Sequence, residues 1–470
     1  MFEKIVNGIN GIVWSPALVV LLVGAGIYFT VRTRFVQLRR IGLMARLLFR
    51  KRDKNAEKKG VSSFEAFCIA LSGRVGTGNI VGVATAIAIG GPGAVFWMWI
   101  TSFFGASTAF VESTMAQLFK FSHSSGFRGG PACYIEKGLH SRPLAILYAA
   151  FTIIGCGLML PTVQANGMST AALNSFGINP LISGIFLAFL MGLVIIGGIN
   201  RIAKAASYIT PLMAVIYVII SLVILAMNWR AIPGLLKMIV DNAFGVNPLC
   251  GGILGTTIMM GVKRGLFSNE AGQGTGAIPS ASADVRHPAE QGLVQAFSVY
   301  VDTLLVCTAT ALMILSAGTF NILDAKTGEM LVANAPELGA NYVGYTQAAV
   351  DSVIGGFGSA FVSIALAFFV FTTVMAYYFY SESSVMYLCE LGGKGSSRLE
   401  KILIRILQAA LLAAVLFGAV KEANLVWTLG DIGIGIMAWV NVIAIIILAP
   451  KAIAALRDYE TKESSQDGNR

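Results

Sequence analysis

The chain has 470 residues, 56% of them hydrophobic and only 12% charged, where a soluble globular protein carries about a quarter. So few charges cannot cover a solvated surface, which excludes a soluble enzyme, a disordered scaffold and a nucleic-acid binder. The net charge of +10 does not restore the last reading, because Lys and Arg cluster in loops between apolar runs. The composition is that of a polytopic membrane protein whose main partner is the lipid bilayer, with no obligate protein partner implied.

A spanning helix needs about 20 mostly apolar residues. Eleven stretches qualify: 14–32, 62–90, 92–119, 144–171, 178–199, 204–228, 246–277, 290–317, 347–385, 400–419 and 425–449. The first carries its basic residues after its apolar run, the reverse of a secretory signal peptide, and reads as a span. Eleven of the 34 Lys and Arg lie between Arg32 and Lys59. Basic residues favour cytoplasmic loops, so this segment and the C-terminus are expected inside the cell and the N-terminus outside. Alternation then puts 26 basic residues on the cytoplasmic side and five outside, with Arg74, Lys263 and Arg264 inside spans. The expected location is the cytoplasmic (inner) membrane.

Segment 318–346 is the one sizeable external loop, and the acidic, Ser-rich end 458–470 is expected to be disordered. Six cysteines without paired spacing imply neither a disulfide framework nor a zinc site. His123, His140 and His287 all fall in cytoplasmic loops, so no metal within the membrane other than a transported ion, and no cofactor, is expected.

Two spans carry glycine at a density that opposes a continuous helix. The second contains Ser72-Gly73-Arg74-Val75-Gly76-Thr77-Gly78-Asn79, and the seventh runs from Lys263-Arg264-Gly265 through Phe267-Ser268-Asn269-Glu270 to Gly272, Gly274 and Gly276. Each glycine costs about 1 kcal/mol relative to alanine in a helix interior. Unwound backbone at membrane depth survives only in protein or beside a cavity, because lipid offers it no hydrogen bonds. Tight helix packing on small residues is the competing explanation. Position favours breaks. With the first span set aside, the broken helices are the first and sixth of ten, the layout of two five-helix inverted repeats. The organisation read from this is an extra helix and basic loop at 1–59, repeats at 60–228 and 246–450, and a tail at 451–470. Half-helix ends can present N–H groups to a carboxylate, and freed carbonyls can hold an ammonium group or a hard cation.

The run Gly90-Gly91-Pro92-Gly93-Ala94-Val95-Phe96-Trp97-Met98-Trp99-Ile100-Thr101-Ser102-Phe103-Phe104-Gly105 resembles, position by position, the signature of the alanine/glycine:cation symporters, also called the sodium:alanine symporter family. Gly76-Thr77-Gly78-Asn79-Ile80 and Phe267-Ser268-Asn269-Glu270-Ala271-Gly272 are similar to its other hallmarks. The resemblance spans essentially the whole chain. It implies uptake of alanine or glycine coupled to sodium or protons. The implied fold is all-α, about 11 transmembrane helices in a leucine-transporter-type 5+5 inverted repeat, plus one extra N-terminal helix. Val75-Gly76-Thr77-Gly78-Asn79 is also similar to the Val-Gly-Leu-Gly-Asn turn of the neurotransmitter:sodium symporters. That wider fold implies sodium on the carbonyls of Ser72 and Val75, the amino acid at Thr77 and Gly78, and, less directly, a second sodium at Asn79.

Individual residues carry two readings each. The hydroxyls of Thr372 and Thr373 bond back to their own helix or, where the fold builds its main sodium site, ligate the ion; oxygen ligands suit a hard cation. Gln164 makes an interhelical hydrogen bond or donates to the substrate carboxylate. Phe267 packs in the core or closes over the substrate side chain, with the ammonium group near Phe267 and Ser268. Arg74 and Glu270 pair as an inner gate or as a static ion pair. Glu112 and Asp431 are open to a proton-carrying role.

The reading reached is a sodium-coupled importer of a small neutral amino acid, with a proton-coupled symporter of the same fold as the alternative. A cation channel would show filter-like repeats or charged rings. An intramembrane hydrolase lacks HExxH, GxSxG and any membrane histidine.

Overall fold

In a computed structural model the chain is dominated by helices, and residues 2–50, 60–123, 126–246, 254–325, 327–391 and 397–467 are described. Among the described residues, eight helices are long and apolar enough to cross a membrane: Glu3–Arg32, Gly93–Leu118, Arg142–Phe176, Gly198–Met227, Pro288–Ala317, Gly358–Leu391, Arg398–Val420 and Ala423–Ser465. A ninth consists of two pieces, Ser63–Arg74 and Gly78–Gly90, bent by 50°. By length and composition alone, eight or nine of the eleven expected spans are met among the described residues. Pro180–Ile195 is short at 16 residues, and Leu254–Asn269 is separated from Ala277–Ser282 by non-helical chain.

Other boundaries also move. The stretch 347–385 is two helices, Tyr342–Asp351 and Gly358–Leu391. The start of the stretch 246–277, at 247–253, lies outside the described residues. The segment 318–346 holds an antiparallel pair, Asn321–Leu323 with Met330–Ala333.

Side chains sort as a membrane requires. Ile182, Ile185, Phe186 and Phe189 point outward and are exposed, while Asn79, Gln164, Asp302 and Asn441 are buried in the middle. That inverts the pattern of a soluble protein.

One helix start follows directly from its sequence. Ser62 caps the Ser63–Arg74 helix in a reciprocal capping box with Glu65. Over 458–467 the C-terminal end corrects the reading of 458–470 as disordered; 468–470 lie outside the described residues. One helix runs from Ala423 to Asp467, and its polar end has partners that composition cannot reveal. Arg39 Nη2 lies 2.7 Å from Glu460, Arg40 Nη1 lies 3.0 Å from Glu463, and His287 Nε2 lies 3.0 Å from Asp458.

Candidate functional site

The first break is a transfer of hydrogen bonds. In a continuous helix the Gly76 N–H would bond the Ser72 carbonyl and the Asn79 N–H the Val75 carbonyl. Here Gly76 N donates to Asn79 Oδ1 at 2.9 Å, and Asn79 N turns to the Gly76 carbonyl at 3.3 Å. Both upstream carbonyls lose their helical partners. They converge on Thr373, whose Oγ1 lies 2.8 Å from Ser72 O, 3.0 Å from Val75 O and 2.8 Å from Phe369 O. A hydroxyl has one proton and can serve only one of three acceptors. Four oxygens gathered so closely, with Thr373 fully buried, make a pocket of negative potential suited to a small hard cation.

Thr372 does not join this cluster. Its Oγ1 bonds back to Phe369 O at 3.0 Å and Phe368 O at 3.2 Å and faces Met213 Sδ at 3.8 Å. Adjacent residues on a helix point about 100° apart, so only one of the two can face the break.

The second break repeats the transfer. The Leu254–Asn269 helix ends at Asn269, and Glu270 turns the chain with φ +58°. Ala271 N donates to Asn269 Oδ1 at 3.0 Å, and Gly272 N to Glu112 Oε1 at 3.0 Å. The carbonyls of Phe267 and Ser268 therefore lose their helical donors. Phe267 and Ser268 themselves lie in the last helical turn and not, as the glycine count implied, inside the break. Asn441 Nδ2 reaches Gly272 O at 2.9 Å and Glu112 Oε1 at 2.5 Å, while Tyr148 donates to Gln273 O at 2.6 Å. Glu112 is thus tied to the backbone of the break.

The two breaks meet at Gly78. A Cβ placed there would stand 3.2 Å from Phe267 Cδ1 and 3.2 Å from Ser268 Cα. A Cβ on Gly76 would come within 2.6 Å of Thr373 Oγ1 and 2.7 Å of Gln164 Oε1. At Gly76 any side chain would force a neighbour to move, and at Gly78 a Cβ already makes a tight contact that a branched side chain would worsen. Gln164 Oε1 accepts from Thr77 N at 3.0 Å, so the amide is already engaged with the first break.

One residue joining both breaks escaped the sequence reading. Asp302, fully buried, accepts from Asn79 Nδ2 at 2.6 Å, from Ser268 Oγ at 2.9 Å and from Thr303 Oγ1 at 2.8 Å. An aspartate in an apolar span is itself the signal; its setting in the π-helical turn Val301–Cys307 carries no clear sequence mark.

Phe267 stacks on Trp427, with ring centroids 4.9 Å apart, and the Arg264 guanidinium sits 4.7 Å from the Trp427 ring. Asp431 holds Arg264 at 2.9 Å and Lys263 at 2.6 Å. Three of the intramembrane charges are therefore one ion cluster over Phe267. Arg74 and Glu270 do not pair. Arg74 Nη1 donates to Ser298 Oγ and, at 3.3 Å, to Gln295 Oε1, while neither Glu270 oxygen has a hydrogen-bond partner.

The model of the sodium:alanine symporter family matches residues 1–470. The chain belongs to that family. It is 49% identical over 458 residues to a putative sodium/proton-dependent alanine carrier protein of Bacillus subtilis, covering 97% of this chain and 92% of the relative. It is 47% identical to the sodium/proton-dependent alanine carrier protein of Bacillus sp. (strain PS3), over 86% and 89% of the two chains. A probable sodium/glutamine symporter of Bacillus subtilis is 41% identical over 99% of this chain and 92% of its own. As a family member the chain is a multi-pass membrane transporter and not an enzyme.

The family signature at 90–105 is a packing device. Trp97 Nε1 donates to Ala243 O at 3.1 Å, Trp99 Nε1 to Thr308 Oγ1 at 2.8 Å, and Gly105 lies against Ala271 of the second break. Its residues brace the site from behind.

Proposed function

We propose that the chain is a secondary-active symporter that imports alanine, and glycine as a second small substrate, driven by sodium. The observation that carries this is the convergence of Ser72 O, Val75 O and Thr373 Oγ1 directly before Thr77 and Gly78, where Gln164 Oε1 holds the Thr77 N–H at 3.0 Å until a substrate carboxylate replaces it. Sodium sits among those oxygens, with Thr373 rather than Thr372 as the hydroxyl ligand. The substrate carboxylate lies on the N–H groups of Thr77 and Gly78, with Gln164 beside it. Its ammonium group meets the Phe267 and Ser268 carbonyls. Asn79, with Asp302, is the candidate second cation position.

This reading adopts the leucine-transporter-type fold. The eight long helices, the bent pair, Pro180–Ile195 and the interrupted Leu254–Ser282 segment together make eleven spans. The repeats are 60–228 and 246–450, preceded by an extra helix and followed by a cytoplasmic tail. The N-terminus lies outside and the C-terminus inside the cytoplasmic membrane. A cysteine at Thr327, in a background with Cys250 replaced, should react with an impermeant maleimide on intact cells; one at Ser464 should react only after permeabilisation. The reverse pattern would invert every span.

Polar contacts to the common amino-acid backbone leave volume to select the side chain, and one methylene is worth about 1–3 kcal/mol there. Phe267 limits that volume. Phe267→Ala is expected to let unlabelled leucine compete with labelled alanine uptake, which it should not do in the wild type. Unchanged resistance to leucine would remove Phe267 from the selectivity wall.

The function is tested by labelled alanine uptake into proteoliposomes with sodium and proton gradients imposed separately. Accumulation should follow the sodium gradient. Accumulation on a proton gradient alone would make protons the coupling ion, and sodium current without uptake would make the chain a channel.

A further inference from the structure

Glu270 is 1% exposed, and its carboxylate faces only the hydroxyls of Tyr380 and Thr275, neither in good hydrogen-bond geometry. A buried carboxylate so poorly satisfied is costly, and this one also holds a left-handed backbone, φ +58°, that favours glycine. Its position gives the cost a use. A Cβ built on Gly73 would stand 3.2 Å from Glu270 Oε1 and against the Tyr380 hydroxyl. Gly73 directly follows Ser72, whose carbonyl belongs to the Thr373 cluster. Tyr380 is two turns along from Thr373 on the same helix, about 10.5 Å and on the same face. The Thr275 hydroxyl is the other oxygen that faces Glu270. Arg74, the neighbouring cation, gives Nη1 to Ser298 and Gln295 and makes no ion pair with Glu270 within 4 Å, while its Nε and Nη2 stay without hydrogen-bond partners.

We propose that Glu270, with the hydroxyls of Tyr380 and Thr275, forms a second, transient site for a monovalent hard cation, next to the Ser72–Val75–Thr373 cluster. Through it the coupling ion leaves on the side of the basic 32–59 loop. This rests on the sodium-coupled reading above. Carboxylate, phenol and hydroxyl oxygens are hard ligands. Arg74 keeps the site weak, as an exit requires, because an ion held too tightly would not leave.

The test measures sodium dependence from each side of the membrane separately, as alanine uptake driven by external sodium and alanine efflux driven by internal sodium. Glu270→Gln should raise the internal sodium needed for half-maximal efflux about tenfold and change the external requirement less than about twofold. Tyr380→Phe should shift the same side in the same direction by a smaller factor, and it decides the matter if Glu270→Gln fails to insert. Equal shifts on both sides, or none, would overturn the exit site. A wild type indifferent to sodium in both directions would instead remove the sodium-coupled reading itself.

Discussion

Thr373→Val is expected to raise the sodium concentration for half-maximal alanine uptake at least tenfold, and Thr372→Val to change it less than about twofold. Valine preserves the volume of Thr373 but deletes its side-chain oxygen, which lies within 3.0 Å of three backbone carbonyl oxygens. Losing one ligand oxygen worth about 1.4 kcal/mol gives the tenfold shift. Thr372 spends its hydroxyl on Phe369 O and Phe368 O, so its removal costs only a local bond. Uptake against sodium concentration for both variants distinguishes them. Equal effects would mean that the ion does not sit at the Ser72–Val75 carbonyls.

Gly76→Ala and Gly78→Val are each expected to reduce alanine uptake below about one hundredth of wild type at saturating sodium. The added Cβ at position 76 falls between Thr373 Oγ1 and Gln164 Oε1, at 2.6 and 2.7 Å, and both neighbours belong to proposed ligand sites. Either the ion cluster opens or Gln164 leaves Thr77. At position 78 the branched side chain meets Phe267 and Ser268 and separates the two breaks. Forcing bulk into a packed interior costs about 1–3 kcal/mol in stability alone, so detergent-solubilised melting must be measured beside uptake. A Gly78→Val protein that folds and transports alanine normally would show that the carboxylate is held elsewhere.

The breaks were legible because glycine density at membrane depth has few explanations, and the apolar runs because lipid tolerates little else. Their edges were not. Glycine marks where a helix can end, but the end itself is set by where Ala271 N and Gly272 N find Asn269 Oδ1 and Glu112 Oε1, and Glu112 comes from another helix. The choice between Thr372 and Thr373 was hidden for a similar reason, since spacing along the chain does not fix which face turns toward the break. Asp302 was visible as an intramembrane acid, but its role as acceptor for Asn79 and Ser268 depends on three segments meeting. The tail beyond 458 has the composition of a disordered end, yet Arg39, Arg40 and His287 give its acidic residues partners. Arg74 and Glu270 carry the opposite lesson. Complementary charges near two breaks suggested a pair, whereas the guanidinium found neutral acceptors on the Pro288–Ala317 helix.

The central claim is that residues 72–78 hold ion and amino acid on consecutive parts of one break, so that each organises the backbone for the other. Binding free energies linked in this way are reciprocal. The direct measurement is equilibrium binding of labelled alanine to the purified protein across a sodium series, paired with sodium binding across an alanine series. Sodium should tighten alanine binding at least tenfold, alanine should tighten sodium binding by the same factor, and both effects should vanish in Thr373→Val. Alanine affinity independent of sodium in the wild type would contradict the shared break.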